Sequence, residues 1–133
     1  MSLALQLDMF APRAPQLPVA RVHPINPRAF DSTDCHRELI DCGSGAAVTL
    51  LVARCAYGMF RCSSGYTSKT GGIGGPVFES SRAFRTFGEA RAAALLGLVA
   101  QLRISYSNTS DLTKARIIKV LEGTPLDFWQ VSA

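Results

Sequence analysis

The stretch FGEARAAALLGLVAQLR, Phe87 to Arg103, leaves the chain little choice of architecture. Phe87, Ala90, Ala94, Leu95, Leu98, Val99 and Leu102 recur at helical spacing and form an apolar stripe. Ala92, Ala93, Leu96 and Ala100 make the remaining surface unusually apolar as well. Thr86 in front, with Glu89 three residues on, has the form of a capping box and fixes where the helix starts. A helix apolar nearly all round is covered on both sides. One cover is a sheet, announced by AAVTLLVA from Ala46 to Ala53, a short unbroken run rich in β-branched residues. The other is a last helix over Leu112 to Glu122, capped by Ser110 or Asp111 and stopped by Gly123. Its Ile117, Ile118 and Leu121 form a face, while Arg116 and Lys119 look outward.

Between these elements the pattern predicts two more strands. Arg54 to Gly58 makes a turn, with Gly58 supplying the positive φ. Met59 to Ser68 then alternates, with Phe60, Cys62, Ser64 and Tyr66 on one side. Lys69 to Pro76 is a glycine loop, and Val77 to Ser80 is a short third strand. Upstream, Phe30 to Gly45 holds a short helix, since Cys35, Leu39 and Cys42 fall on one face at spacings of four and three. The expected fold is therefore α+β: a three-stranded antiparallel sheet backed by a long helix, with a short preceding helix and a C-terminal helix.

Of 133 residues, 47% are apolar and 18% charged, so the chain can bury a core without metal or disulfide staples. It has no run of apolar residues long enough for a membrane span. Asp8 interrupts the first apolar stretch and a basic start is lacking, so no secretory signal is read and a cytoplasmic protein is expected. In that compartment Cys35, Cys42, Cys55 and Cys62 are free thiols or ligands. Their spacing, C-x6-C, x12, C-x6-C, lacks the close pairs of a zinc site, and a tetrahedral set, with or without His36, would need the short helix packed over the hairpin, so no metal and no cofactor are assigned. GGIGG, Gly71 to Gly75, is followed by Pro76 and a strand instead of the Gly-Lys-Ser/Thr and helix of a phosphate loop. His36 beside Cys35 has no Asp or Asn placed to orient it, and no acid–base pair of carboxylates is spaced for catalysis. A non-enzyme is expected.

Met1 to Pro27 reads as an extended tail, since Pro12, Pro15, Pro18, Pro24 and Pro27 forbid a continuous helix. Within it, 18–25 alternates weakly and fits an edge strand. Residues 28–133 form a single small α+β domain. The tail carries Gln6-Leu7-Asp8-Met9-Phe10, and QLDMF resembles the pentapeptide with which many bacterial proteins bind the DNA polymerase sliding clamp. The resemblance implies that Gln6 hydrogen-bonds at the rim of the clamp's pocket, Leu7 packs beside it, and Met9 and Phe10 fill the apolar subsites. Met9 stands where the family pattern has Leu, a swap that keeps volume and apolarity.

A second resemblance lies in Phe84-Arg85-Thr86-Phe87-Gly88-Glu89-Ala90, an aromatic and a cap opening a helix after three strands. The 46–103 region is similar to the strand-strand-strand-helix modules of integrase arm-type DNA-binding domains. Carried over, Arg54, Arg61, Tyr66 and Lys69 would touch DNA, and Arg61, Lys69, Arg82, Arg85 and Arg91 would form a basic rim. The net charge of +4 suits such contact. The functional expectation is a non-enzymatic accessory protein of bacterial DNA metabolism, of mobile-element origin, binding nucleic acid weakly and tethered to the replication clamp. The alternative is a protein-binding inhibitor or adaptor, anti-restriction or anti-CRISPR-like, using its apolar tail and Trp129 without nucleic acid. Oligomeric state is left open.

Overall fold

The computed structural model describes residues 16–104 and 109–124. Four antiparallel strands follow one another in chain order: β1 (His36–Gly43), β2 (Ala46–Arg54), β3 (Phe60–Thr67) and β4 (Gly72–Ile73). Two helices follow, α1 (Phe87–Ile104) and α2 (Asp111–Glu122). The class is α+β as expected, but the sheet has four strands and the helix ahead of it is absent from the described residues apart from a single 3-10 turn at Ser32–Asp34.

The missing helix became β1. Ser44 and Gly45 both take positive φ, 53° and 80°, which is what a two-residue hairpin loop matched to strand twist requires. The alternation of HRELIDCG then decides the faces. His36, Glu38 and Ile40 pair with Val52, Leu50 and Val48, and those β2 residues are fully buried under the helices. Arg37, Leu39 and Asp41 point to the other face of the sheet. Leu39 is 65% exposed there, so it never belonged to an apolar helix face with Cys42.

The glycine loop is not a plain loop throughout. Its first half closes a tight hairpin in which the Ser68 amide and hydroxyl both donate to the Gly71 carbonyl, at 2.8 Å each. The extra strand β4 follows, pairing Ile73 with Tyr66 and Gly72 with Thr67. Residues 77–79 do not join this sheet as a third strand. They hydrogen-bond to 28–30 instead, Phe30 N–H donating to the Val77 carbonyl and Glu79 N–H to the Arg28 carbonyl, both at 2.9 Å.

Thr86 caps α1 as the sequence requires, its hydroxyl accepting from the Glu89 amide at 3.1 Å. Ser110 does the same for α2 through Thr113. Both helices lie on one face of the sheet, where Val48, Leu50 and Tyr66 pack with Ala94, Leu95, Leu98, Ile117 and Leu121. A smaller cluster of Ala20, Ala53, Cys55 and Val77 occupies the opposite face near the end of β2. The stretch from residue 16 onward is thus laid against the sheet: Val19 bridges Arg54 in parallel and the Ala20 amide donates to the Arg54 carbonyl at 2.8 Å. The pentapeptide 6–10 lies outside the described residues. No helix of the described residues is long and apolar enough to cross a membrane.

Candidate nucleic-acid interface

At one end of the sheet β2 stops at Arg54 and β3 starts at Phe60, and these two residues are register partners. Phe60 is bonded in turn to Phe84, each amide donating to the other's carbonyl at 2.8 and 2.7 Å. Arg54, Phe60 and Phe84 therefore sit side by side on three adjacent backbones. Arg82 lies over the Phe84 ring, its guanidinium carbon 5.2 Å from the centroid, within the range of a cation–π contact. Arg61 follows Phe60 and donates from Nε to the Ser81 carbonyl at 2.9 Å. Arg54 donates from Nη1 to the Leu17 carbonyl at 3.1 Å, and Arg85 is exposed next to Phe84.

Four of the seven basic-rim and strand residues named from the sequence, Arg54, Arg61, Arg82 and Arg85, thus lie at one end of the sheet, Arg61 on the face opposite Arg54. None of the four is ion-paired with a carboxylate among the described residues. An arginine carries five N–H donors, so the single carbonyl bonds of Arg54 and Arg61 leave most of each fork unused by the fold.

The other expected contacts go elsewhere. Lys69 sits at the opposite end of the sheet against the β1–β2 turn: a Cβ added to Gly45 would stand 3.0 Å from Lys69 Cε. At about 3.3 Å per residue along β2, that is roughly 30 Å from Arg54. Tyr66 is turned into the core, 1% exposed, its hydroxyl donating to Thr109 Oγ1 at 3.1 Å. Its register partner Val48 faces the helices, and alternation puts Tyr66 on that same side. Arg91 is no rim residue either. It is 4% exposed and forks onto Glu38, Nε to Oε1 at 2.9 Å and Nη2 to Oε2 at 2.8 Å.

Compared with protein-family models, with curated proteins and with solved structures, the chain matches none.

The residue that sequence reasoning missed is Tyr57. It stands in the turn between β2 and β3 with φ 64° and ψ 24°, a left-handed conformation unusual for any residue but glycine, asparagine or aspartate. It is 100% exposed, at the tip between Arg54 and Phe60. The neighbouring Gly58 also has positive φ, 69°, so the turn places both residues beyond the ends of the strands. An aromatic ring wholly in solvent on a conformationally costly turn contributes nothing to the core, and strain of this kind collects at functional positions.

The thiols offer a contrast. Cys35 and Cys55 lie with the cluster on one face of the sheet and Cys42 and Cys62 with those beneath the helices, so they do not converge. Burial pushes the Cys35 thiol up to about 11 and raises Cys42 and Cys62 as well, which keeps them protonated and unreactive. Among the described residues no group of three or more Cys, His, Asp or Glu is disposed to hold a metal.

Proposed function

We propose that this domain binds nucleic acid through the arginine-rich end of its sheet, as a non-enzymatic accessory to bacterial DNA metabolism. The observation that carries the reading is that Arg54, Arg61, Arg82 and Arg85 share one end of the sheet with Phe60, Phe84 and Tyr57, with no carboxylate of the described residues paired to them. Arginine forks recognise phosphate, and aromatic faces beside them take bases. In the double variant Arg82→Gln/Arg85→Gln, fluorescence anisotropy with labelled DNA is expected to read an affinity loss of roughly tenfold at low salt. The slope of log affinity against log salt is expected to flatten by about 2, one unit for each lost phosphate contact. An unchanged slope would remove this surface from the reading.

The second half of the reading is the tether. QLDMF supplies an extended peptide with two apolar anchors, Met9 and Phe10, ahead of a proline-rich stretch. Joining a weak nucleic-acid contact to a weak clamp contact raises the effective concentration of each for the other. Pull-down with purified bacterial sliding clamp is expected to retain the protein and to lose it with Gln6→Ala/Phe10→Ala. Retention of that variant would sink the tether and leave the nucleic-acid surface untouched.

A further inference from the structure

Beside the Tyr57 turn lies a cleft of about 480 Å³, within the roughly 300–1,000 Å³ of small-ligand sites. Val19, Phe30, Cys55 and Ala56 give it apolar walls, and Arg61 and Glu79 also line it. Ala56 is the residue immediately before Tyr57, so the cleft and the exposed ring are adjoining parts of one turn.

We infer that this end of the sheet takes single-stranded nucleic acid, with one base stacked on Tyr57 and a neighbouring base held in the cleft. The inference rests on the nucleic-acid reading above and narrows it to a substrate class. A ring that is fully exposed on a protruding turn offers a free face, and only an unpaired base offers a free face in return. In a duplex both faces of every base are stacked, and exposing one requires unstacking. The cleft points the same way. A carboxylate in its wall opposes a phosphate, whereas the edge of a base carries both donors and acceptors. Glu79 can accept from an exocyclic amino group and Arg61 can donate to a ring nitrogen or carbonyl. Phosphates then lie outside the cleft, along Arg82 and Arg85. The apolar walls suit a flat ring that has left its stack, and apolar lining with a few placed polar groups is the usual make-up of such a site.

The experiment compares labelled dT20, dC20 and a duplex of the same length, read by anisotropy at one fixed salt concentration. The wild type is expected to bind single strands more tightly than duplex, and dC20 more tightly than dT20. Tyr57→Asn keeps a residue that tolerates the left-handed turn and removes the ring. It is expected to weaken single-strand binding by about tenfold, in line with the loss of one stacked base. Its melting temperature is expected to equal or exceed that of the wild type, which separates lost binding from lost folding. Glu79→Leu is expected to bring the dC20 to dT20 affinity ratio to one. Equal affinity for duplex and single strand in the wild type, or single-strand binding indifferent to Tyr57→Asn, overturns the inference. Should Arg82→Gln/Arg85→Gln still weaken binding in that case, the broader reading survives. Absence of salt-dependent binding to any of the three probes defeats both.

Discussion

Gly65→Ala is expected to destabilise the domain by about 3 kcal/mol, at the upper end of ordinary overpacking. Gly65 lies in β3 where the chain, having turned through β4, crosses back over the sheet. A Cβ there would collide with the Ile73 carbonyl oxygen and stand 2.6 Å from Gly74 Cα. Both obstacles are backbone, so no side chain can rotate aside, and the Ile73–Tyr66 pairing must open to make room. The melting temperature should fall by roughly 10 °C for a domain of this size. Gly75→Ala is the control, because an added Cβ there meets nothing within 4 Å. Equal melting temperatures for the two variants would show that the crossing yields easily.

The second large effect sits between sheet and helix. Glu38 on β1 reaches under α1 to take both arms of the Arg91 fork, and His36 Nε2 stands 3.7 Å from Glu38 Oε1. The His36 ring meets Phe87 edge to face at 5.0 Å, which closes the cluster on that side. His36 and the Arg91 guanidinium together hold the Glu38 carboxyl down to about 2 against the usual 4.5. A depressed carboxylate adds stability that is fully present above its unfolded value and is lost as pH falls through the folded one. The pair's contribution should therefore be intact at pH 5 and above and fade between about 4.5 and 2.

Glu38→Gln removes the charge and leaves Arg91, 4% exposed, as a buried cation without its carboxylate. Breaking a buried pair in this way costs about 3–5 kcal/mol. Urea denaturation should show that deficit at pH 7 and a much smaller one near pH 2.5, where the wild type loses its own advantage. The double variant Glu38→Leu/Arg91→Met, which removes both charges and keeps volume, should regain most of the stability at pH 7. A deficit independent of pH would mean that Glu38 acts through packing and not through charge.

This pair also explains why β1 was not legible in the chain. A strand with one buried face is recognised by apolar alternation, and here the central inward position is an acid. Its partner lies 53 residues further on, and only the folded chain brings them together. Meanwhile Cys35, Leu39 and Cys42 happen to repeat at four and three, the period of a helix, although they belong to different faces of the sheet. What was legible was local. The capping threonine, the stripe of α1, and the bounds of β2 and β3 to within a residue are written in neighbouring positions. The arginines of the candidate site come from the resemblance to strand-strand-strand-helix modules and from the basic rim drawn around that sheet. Which of them meet was decided by register and strand direction, and these sent Lys69 to the far end and Tyr66 inward. Tyr57 was hidden for a different reason: a turn with one glycine invites the positive φ to be assigned to that glycine alone, and here its neighbour shares it.

The order of the strands sets a schedule for synthesis. Each strand pairs with the one made just before it, so the sheet can assemble as the chain emerges, with little loop-closure cost at any step. The helices that cover Val48, Leu50 and Val52 come last. Until α1 clears the ribosome those side chains face water on a ready-made sheet, and that interval is when the nascent protein is most prone to stick to its neighbours.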